Sequence, residues 1–215
     1  MLALYGHPFS SYTWKALIAL YANATPFEFR ITEPDHPDHI ARVAGASPAG
    51  KFPLLVDGDA EVFEASVIVE YLDLHHPGPM RFVPDDRAGA LHARMMDRVF
   101  DNYVMNTMQD SVAEAIREGT LGAVTRDRVN AALARSYAWI ERWLAGYRRP
   151  DGITLIECAA APSLFYADWV MPIPPEFLRL REWRAHLLAL PPVSRCVEDA
   201  RPYRHYFPLG APDRD

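Results

Sequence analysis

The chain has 215 residues, half of them hydrophobic, 12% aromatic and 23% charged, with 22 Lys and Arg against 28 Asp and Glu for a net charge of −6. That composition excludes a disordered chain, and the acidic balance argues against a non-specific nucleic-acid binder. Two cysteines are too few for a disulfide scaffold or a four-thiolate zinc site.

The opening residues Met1-Leu-Ala-Leu-Tyr5-Gly6 carry no basic stretch before an apolar run, and no apolar run approaches the length of a membrane span. A soluble, cytoplasmic protein with reduced thiols is the expectation. Leu2–Tyr5 reads as a short strand, broken by Gly6-His7-Pro8. From Ser10, the residues Trp14, Leu17, Ile18 and Tyr21 recur at helical spacing. Pro26 stops that helix, and 27–31 alternates as a half-buried strand does. A short helix is expected around Ile40–Val43 in a stretch rich in Pro, Asp and His. Leu54–Val56, the Asp57-Gly58-Asp59 turn and Val62-Phe63 read as a hairpin. A helix over 64–74 then turns Val67, Ile68, Tyr71 and Leu72 inward.

His76-Pro77-Gly78-Pro79 ends this α/β part, and everything later is helical in pattern. One long helix is predicted over 87–118, with Met95, Met96, Val99, Phe100, Tyr103 and Val104 on one broad face. Further helices are predicted over 124–144, 154–170, 177–190 and 192–200. The domain division is therefore an α/β domain over 1–78, a linker over 79–86 and an all-helical domain over 87–215.

Four stretches in this order carry a family resemblance: Leu4 to Leu20 around Ser10-Ser11, Gly50-Lys51-Phe52-Pro53-Leu54-Leu55, Phe63-Glu64-Ala65-Ser66 to Leu72, and Asp151-Gly152-Ile153-Thr154 to Cys158. Together they resemble the glutathione S-transferase family in its serine-type, bacterial-like cytosolic form. The resemblance implies a thioredoxin-like N-terminal domain and an all-α C-terminal bundle. It implies glutathione as co-substrate, no metal, a small hydrophobic electrophile as second substrate, and a twofold homodimer. It implies neither a nucleic-acid nor a membrane partner. The expected function is glutathione transfer, with detoxification as its setting. The alternatives are a glutathione-dependent isomerase and a non-catalytic ligand-binding protein on the same fold.

Carried over residue by residue, the resemblance makes Ser10 the thiol-activating position, with Ser11 beside it as the rival. From pattern alone, Ser10 reads equally as an N-cap. The second stretch implies a cis bond before Pro53 and a backbone edge at Phe52 for the cysteinyl group. Glu64 would take the γ-glutamyl amino group and the amide of Ala65 its carboxylate. Here Ala65 departs from the usual serine and removes one charge-assisted hydrogen bond, about 1.5–3 kcal/mol. Ser66, one position later on a helix, points about 100° away. Lys51 and His39 are candidates for the glycyl carboxylate, against solvated surface readings.

Tyr12, Tyr103, Asn106 and Met108 are candidate walls of the electrophile site, with bundle core as the competing reading for Tyr103 and Met108. His36-Pro37-Asp38-His39 has the residue types of a metal site but reads as a solvated loop. No cysteine lies near the active-site turn, so a dithiol cycle has no chemistry there. The reactive sulfur must arrive with the ligand.

Overall fold

A computed structural model describes residues 1–215. Its sheet is built on β1 (Leu2–Gly6), which pairs in parallel with β2 (Glu28–Ile31) and antiparallel with β3 (Leu54–Asp57). β4 (Ala60–Phe63) closes the hairpin with β3, giving the order β2-β1-β3-β4. The turn between Asp57 and Ala60 needs Gly58, whose φ of +59° lies in the left-handed region.

The period of two in β1 decides what packs on each face. Leu2 and Leu4 enter the main core. Ala3 and Tyr5 point the other way, joining Val43 and Leu54 under α2 (Pro37–Ala46). The helices α1 (Ser11–Ala22) and α3 (Ala65–His75) bury Leu17, Ile18, Ile68 and Leu72 in the same core as Leu2 and Leu4.

After a link of about ten residues, α4 (Arg87–Val99) starts on an Asp86 cap whose side chain accepts from the Gly89 amide at 2.7 Å. It runs into a π-helical segment, Phe100–Met105, and then α5 (Asn106–Glu118). The single helix expected over 87–118 is thus interrupted. α and π turns both repeat at three to five residues, so apolar spacing does not separate them. The broad apolar face is also narrower than expected. Met96, Phe100 and Val104 are buried, whereas Met95 and Tyr103 are exposed.

The remaining helices are α6 (Ala123–Leu144), α7 (Leu155–Val170), α8 (Leu178–Ala189) and α9 (Pro191–Ala200), followed by a 3-10 turn over Arg201–Tyr206. α7 is buried all round from Leu155 to Trp169 and starts on a capping box, with Thr154 Oγ1 accepting from the Ile156 amide and Glu157 accepting from the Thr154 amide. It packs on α1, with the Trp14 and Phe165 rings 4.9 Å apart. A single core of 44 buried residues consequently runs from Leu2 to Phe207 through both parts of the chain. No helix is long and apolar enough to cross a membrane.

Candidate active site

The turn between β1 and α1 is held by three side chains acting on its backbone. Trp14 Nε1 donates to the Pro8 carbonyl at 2.5 Å, Tyr166 donates to the Phe9 carbonyl at 2.9 Å, and the Phe9 amide donates to His7 Nδ1 at 3.1 Å. Burial lowers the pKa of His7, which keeps that nitrogen free to accept. Gly6 is required by close approach, since a Cβ there would lie 2.6 Å from Thr13.

Ser10 follows as the N-cap of α1, its Oγ accepting from the Thr13 amide at 3.2 Å. Accepting leaves the hydroxyl proton available, so the cap and donation to a ligand are compatible. The helix start adds a partial positive charge at the same spot.

Ser10, Ser11 and Tyr12 form one wall of a cleft of about 560 Å³. Gly50, Lys51 and Phe52 form a second side. Asn106, Met108, Val112 and Ile116 of α5 face them, and Tyr206, Phe207 and Pro208 close the end. Of its 17 lining residues, Lys51 alone is charged. The Tyr12 hydroxyl donates to Asn106 Oδ1 at 2.8 Å and links α1 to α5 across the cleft. Burial, reinforced by the Asp101 carboxylate, raises the Tyr12 pKa, so this hydroxyl stays protonated.

The other sequence candidates are distributed more widely. The Phe52–Pro53 bond is cis, and Pro53 is buried beside the cleft-lining Phe52. Glu64 is exposed and starts α3 with a φ of +70°, and Ala65 is buried behind it. His39 places Nδ1 2.7 Å from the Ile31 carbonyl and meets the Tyr5 ring edge-on, with Nε2 3.7 Å from Asp38; it is not itself one of the residues that line the cleft.

Tyr103 requires a correction. It is 61% exposed and lines a separate groove with Met95, Val99 and Trp139. Met108 fits both of its readings, being buried and cleft-lining at once. The expected loop at 36–39 is instead the first turn of α2, where the His36 and His39 rings stack 4.9 Å apart. Ligand atoms of His36, Asp38 and His39 fall within 4.8 Å of one another.

Behind the N-termini of α1 and α3 lies an ionic cluster that the sequence did not reveal. Lys15 is 1% exposed and donates to Ser66 Oγ and to Asp101 Oδ2, both at 2.8 Å, while pairing with Asp97. Ser66 donates to Asp97 at 2.9 Å, so its hydroxyl is turned inward. Arg98 closes the cluster on Ser66, Asp97 and Asp101. Burial pushes the Asp101 carboxyl up, opposed by the Lys15 charge. The one signal in the sequence was a lysine between Trp14 and Leu17 on an otherwise apolar helix.

The cleft residues Phe9, Tyr166 and Gln109, and the stretch 206–208, were also missed. Met108, Val112 and Ile116 recur every four residues and could have been found by extending the stripe from Met108.

Cys158 and Cys196 are free and fully buried, and burial raises both thiol pKa values. Neither should react with an aromatic disulfide reagent in the folded protein, and both should react on unfolding. Native-state reaction at the rate of a small free thiol would contradict this burial.

Residues 4–80 match the family model described as glutathione S-transferase, N-terminal domain. A glutathione S-transferase of Arabidopsis thaliana is 35% identical over 173 residues, covering 77% of this chain and 83% of that one. The chain belongs to the glutathione S-transferase family. A protein named probable maleylacetoacetate isomerase, from Vibrio cholerae, is 23% identical over 210 residues, covering 94% of this chain and 97% of its own. A crystal structure of a glutathione S-transferase from Methylobacterium radiotolerans, in complex with glutathione sulfonate, superposes with a TM-score of 0.73 at 26% identity, covering 100% of this chain and 98% of that one. The four-stranded sheet with its flanking helices and the helical bundle behind it are therefore the thioredoxin-like and all-α parts of the glutathione S-transferase fold.

Proposed function

We propose that this member of the glutathione S-transferase family binds glutathione, ionises its thiol and adds the thiolate to a small, apolar, uncharged electrophile. The observation that carries this reading is the cleft itself: a hydroxyl with a free proton at a helix N-terminus on one side, an apolar wall on the other, and Lys51 as its sole charge. A thiol of pKa near 8.5 is about 3% ionised at pH 7; lowering the pKa by two units makes it mostly thiolate, for about 2.7 kcal/mol. One hydroxyl donor beside a helix start supplies stabilisation of that order.

Ser10 is assigned as that donor, with Ser11 as its neighbour and alternative. Lys51 and His39 are assigned to the glycyl carboxylate, and Phe52 with Pro53 to the cysteinyl backbone. Glu64 takes the γ-glutamyl amino group, and the Ala65 amide its carboxylate. Tyr12, Asn106 and Met108 contact the electrophile. The relative solved with glutathione sulfonate supports glutathione as the ligand.

The isomerase reading draws on relatives of that name. Maleylacetoacetate carries two carboxylates, however, and a cleft with one lysine, itself assigned to glutathione, offers them no cation. A twofold homodimer belongs to this reading, supported by the exposed apolar residues Val67 and Leu74 on α3 and Leu91 and Met95 on α4.

The test is a pair of glutathione-dependent assays on the purified chain. Conjugation of an uncharged aromatic halide should proceed, and cis–trans isomerisation of a maleyl dicarboxylate should not. Isomerisation without conjugation would favour the isomerase, and activity in neither assay together with no glutathione binding would favour the non-catalytic protein.

A further inference from the structure

We propose that Arg98 binds the α-carboxylate of the γ-glutamyl group, standing in for the hydroxyl that Ala65 lacks; this rests on the glutathione reading above. The local helix chemistry defines what is missing. Glu64 gives α3 no side-chain cap, as at the starts of α2, α6, α8 and α9; what sets α3 apart is the open guanidinium beside its first turn. The first amides of α3 are left to a ligand, and the side chains beside them supply no further donor. Ala65 has none, and the Ser66 hydroxyl is spent inward on Asp97 while accepting from Lys15 and Arg98.

Arg98 comes from α4 to this same point. Its Nη2 touches Ser66, the residue after Ala65, and its Nε donates to Asp97 Oδ2 at 2.9 Å. These bonds, with the Nη2 contact to Asp101 at 3.3 Å, use Nε and Nη2 and leave the two Nη1 donors without a protein partner. The side chain is 52% exposed, although the two aspartates it pairs with are buried. A guanidinium fixed on one edge and open on the other is already oriented for a carboxylate.

Lys15 and Arg98 neutralise Asp97 and Asp101. What the cluster offers a carboxylate is therefore the open Nη1 edge beside the partial positive charge of the α3 start, with Glu64 close enough to Arg98 to act on its charge. A zwitterionic γ-glutamyl end would place its ammonium on Glu64 and its carboxylate on Arg98 and the Ala65 amide.

The experiment compares glutathione with an analogue whose α-carboxylate is replaced by hydrogen, both titrated calorimetrically. The native protein should prefer glutathione by about tenfold or more, the value of one charge-assisted contact. R98Q should lower that preference by about tenfold, to what the Ala65 amide alone supplies, and adding A65S to R98Q should restore part of it. An R98Q preference equal to the native one overturns the assignment while leaving glutathione binding intact. If R98Q does not fold, the native protein decides: glutathione should protect Arg98 from phenylglyoxal, mapped by mass spectrometry, and the analogue should not. Equal protection by both overturns the proposal. No binding of glutathione at millimolar concentration removes the glutathione reading itself, and this inference with it.

Discussion

K15M should lower the folding free energy by about 3–5 kcal/mol, the largest effect expected of any single substitution outside the apolar core. Methionine matches the lysine stem in volume, so the loss is electrostatic. Asp97 and Asp101 would stay buried with Arg98 alone to meet them, and Arg98 lies half in solvent. The cluster also joins α1 and α3 to α4, so its loss loosens the seam on which Ser10 and Glu64 are mounted.

The pH dependence has a definite sign. Burial holds the Asp101 carboxyl above its ordinary range. A raised carboxyl favours the folded chain fully below about pH 3.9 and loses that contribution as pH rises through its folded value. Removing Lys15 takes away the largest opposing influence and raises this carboxyl further. The penalty for K15M should therefore shrink as pH falls from 8 towards 5. Urea midpoints for both proteins across that range measure it, and parallel profiles would contradict the cluster's role. Adding D97N and D101N to K15M should recover much of the loss, because the uncompensated charges go with the lysine.

S10A should reduce kcat/KM at pH 7 by about 25-fold, the drop in thiolate fraction when the thiol returns to its free pKa. The deficit should fade to about 1.3-fold at pH 9, where the free thiol ionises unaided. This convergence separates an ionisation role from a steric one. Stability should fall by only about 1 kcal/mol, the value of the cap to the Thr13 amide. S11A is the partner measurement: a pH-dependent loss there instead of in S10A would move the role one residue along.

Local patterns were the legible part of the structure. The stripe of Trp14, Leu17 and Ile18 located α1, and the Thr154 and Glu157 pair located the start of α7, since caps and periodicity act over a few residues. Tyr103 shows where that logic stops. Residues 95, 99 and 103 and residues 96, 100 and 104 form adjacent apolar stripes, and packing against the rest of the bundle, α7 and Trp183 of α8 included, decides which is buried. Lys15 and Asp101 lie 86 positions apart and meet through the docking of one domain on the other, a distance that no window along the chain spans. Tyr206 to Pro208 reach the cleft from the last residue of a short 3-10 turn and the coil after it, too short a run to show a period.

The most direct test of the central claim is a pH titration of the native protein with glutathione, followed by thiolate absorbance at 240 nm. Half-ionisation of the bound thiol near pH 6.5, about two units below its free value, is the predicted result. A midpoint near 8.5, or no binding at millimolar glutathione, would contradict it.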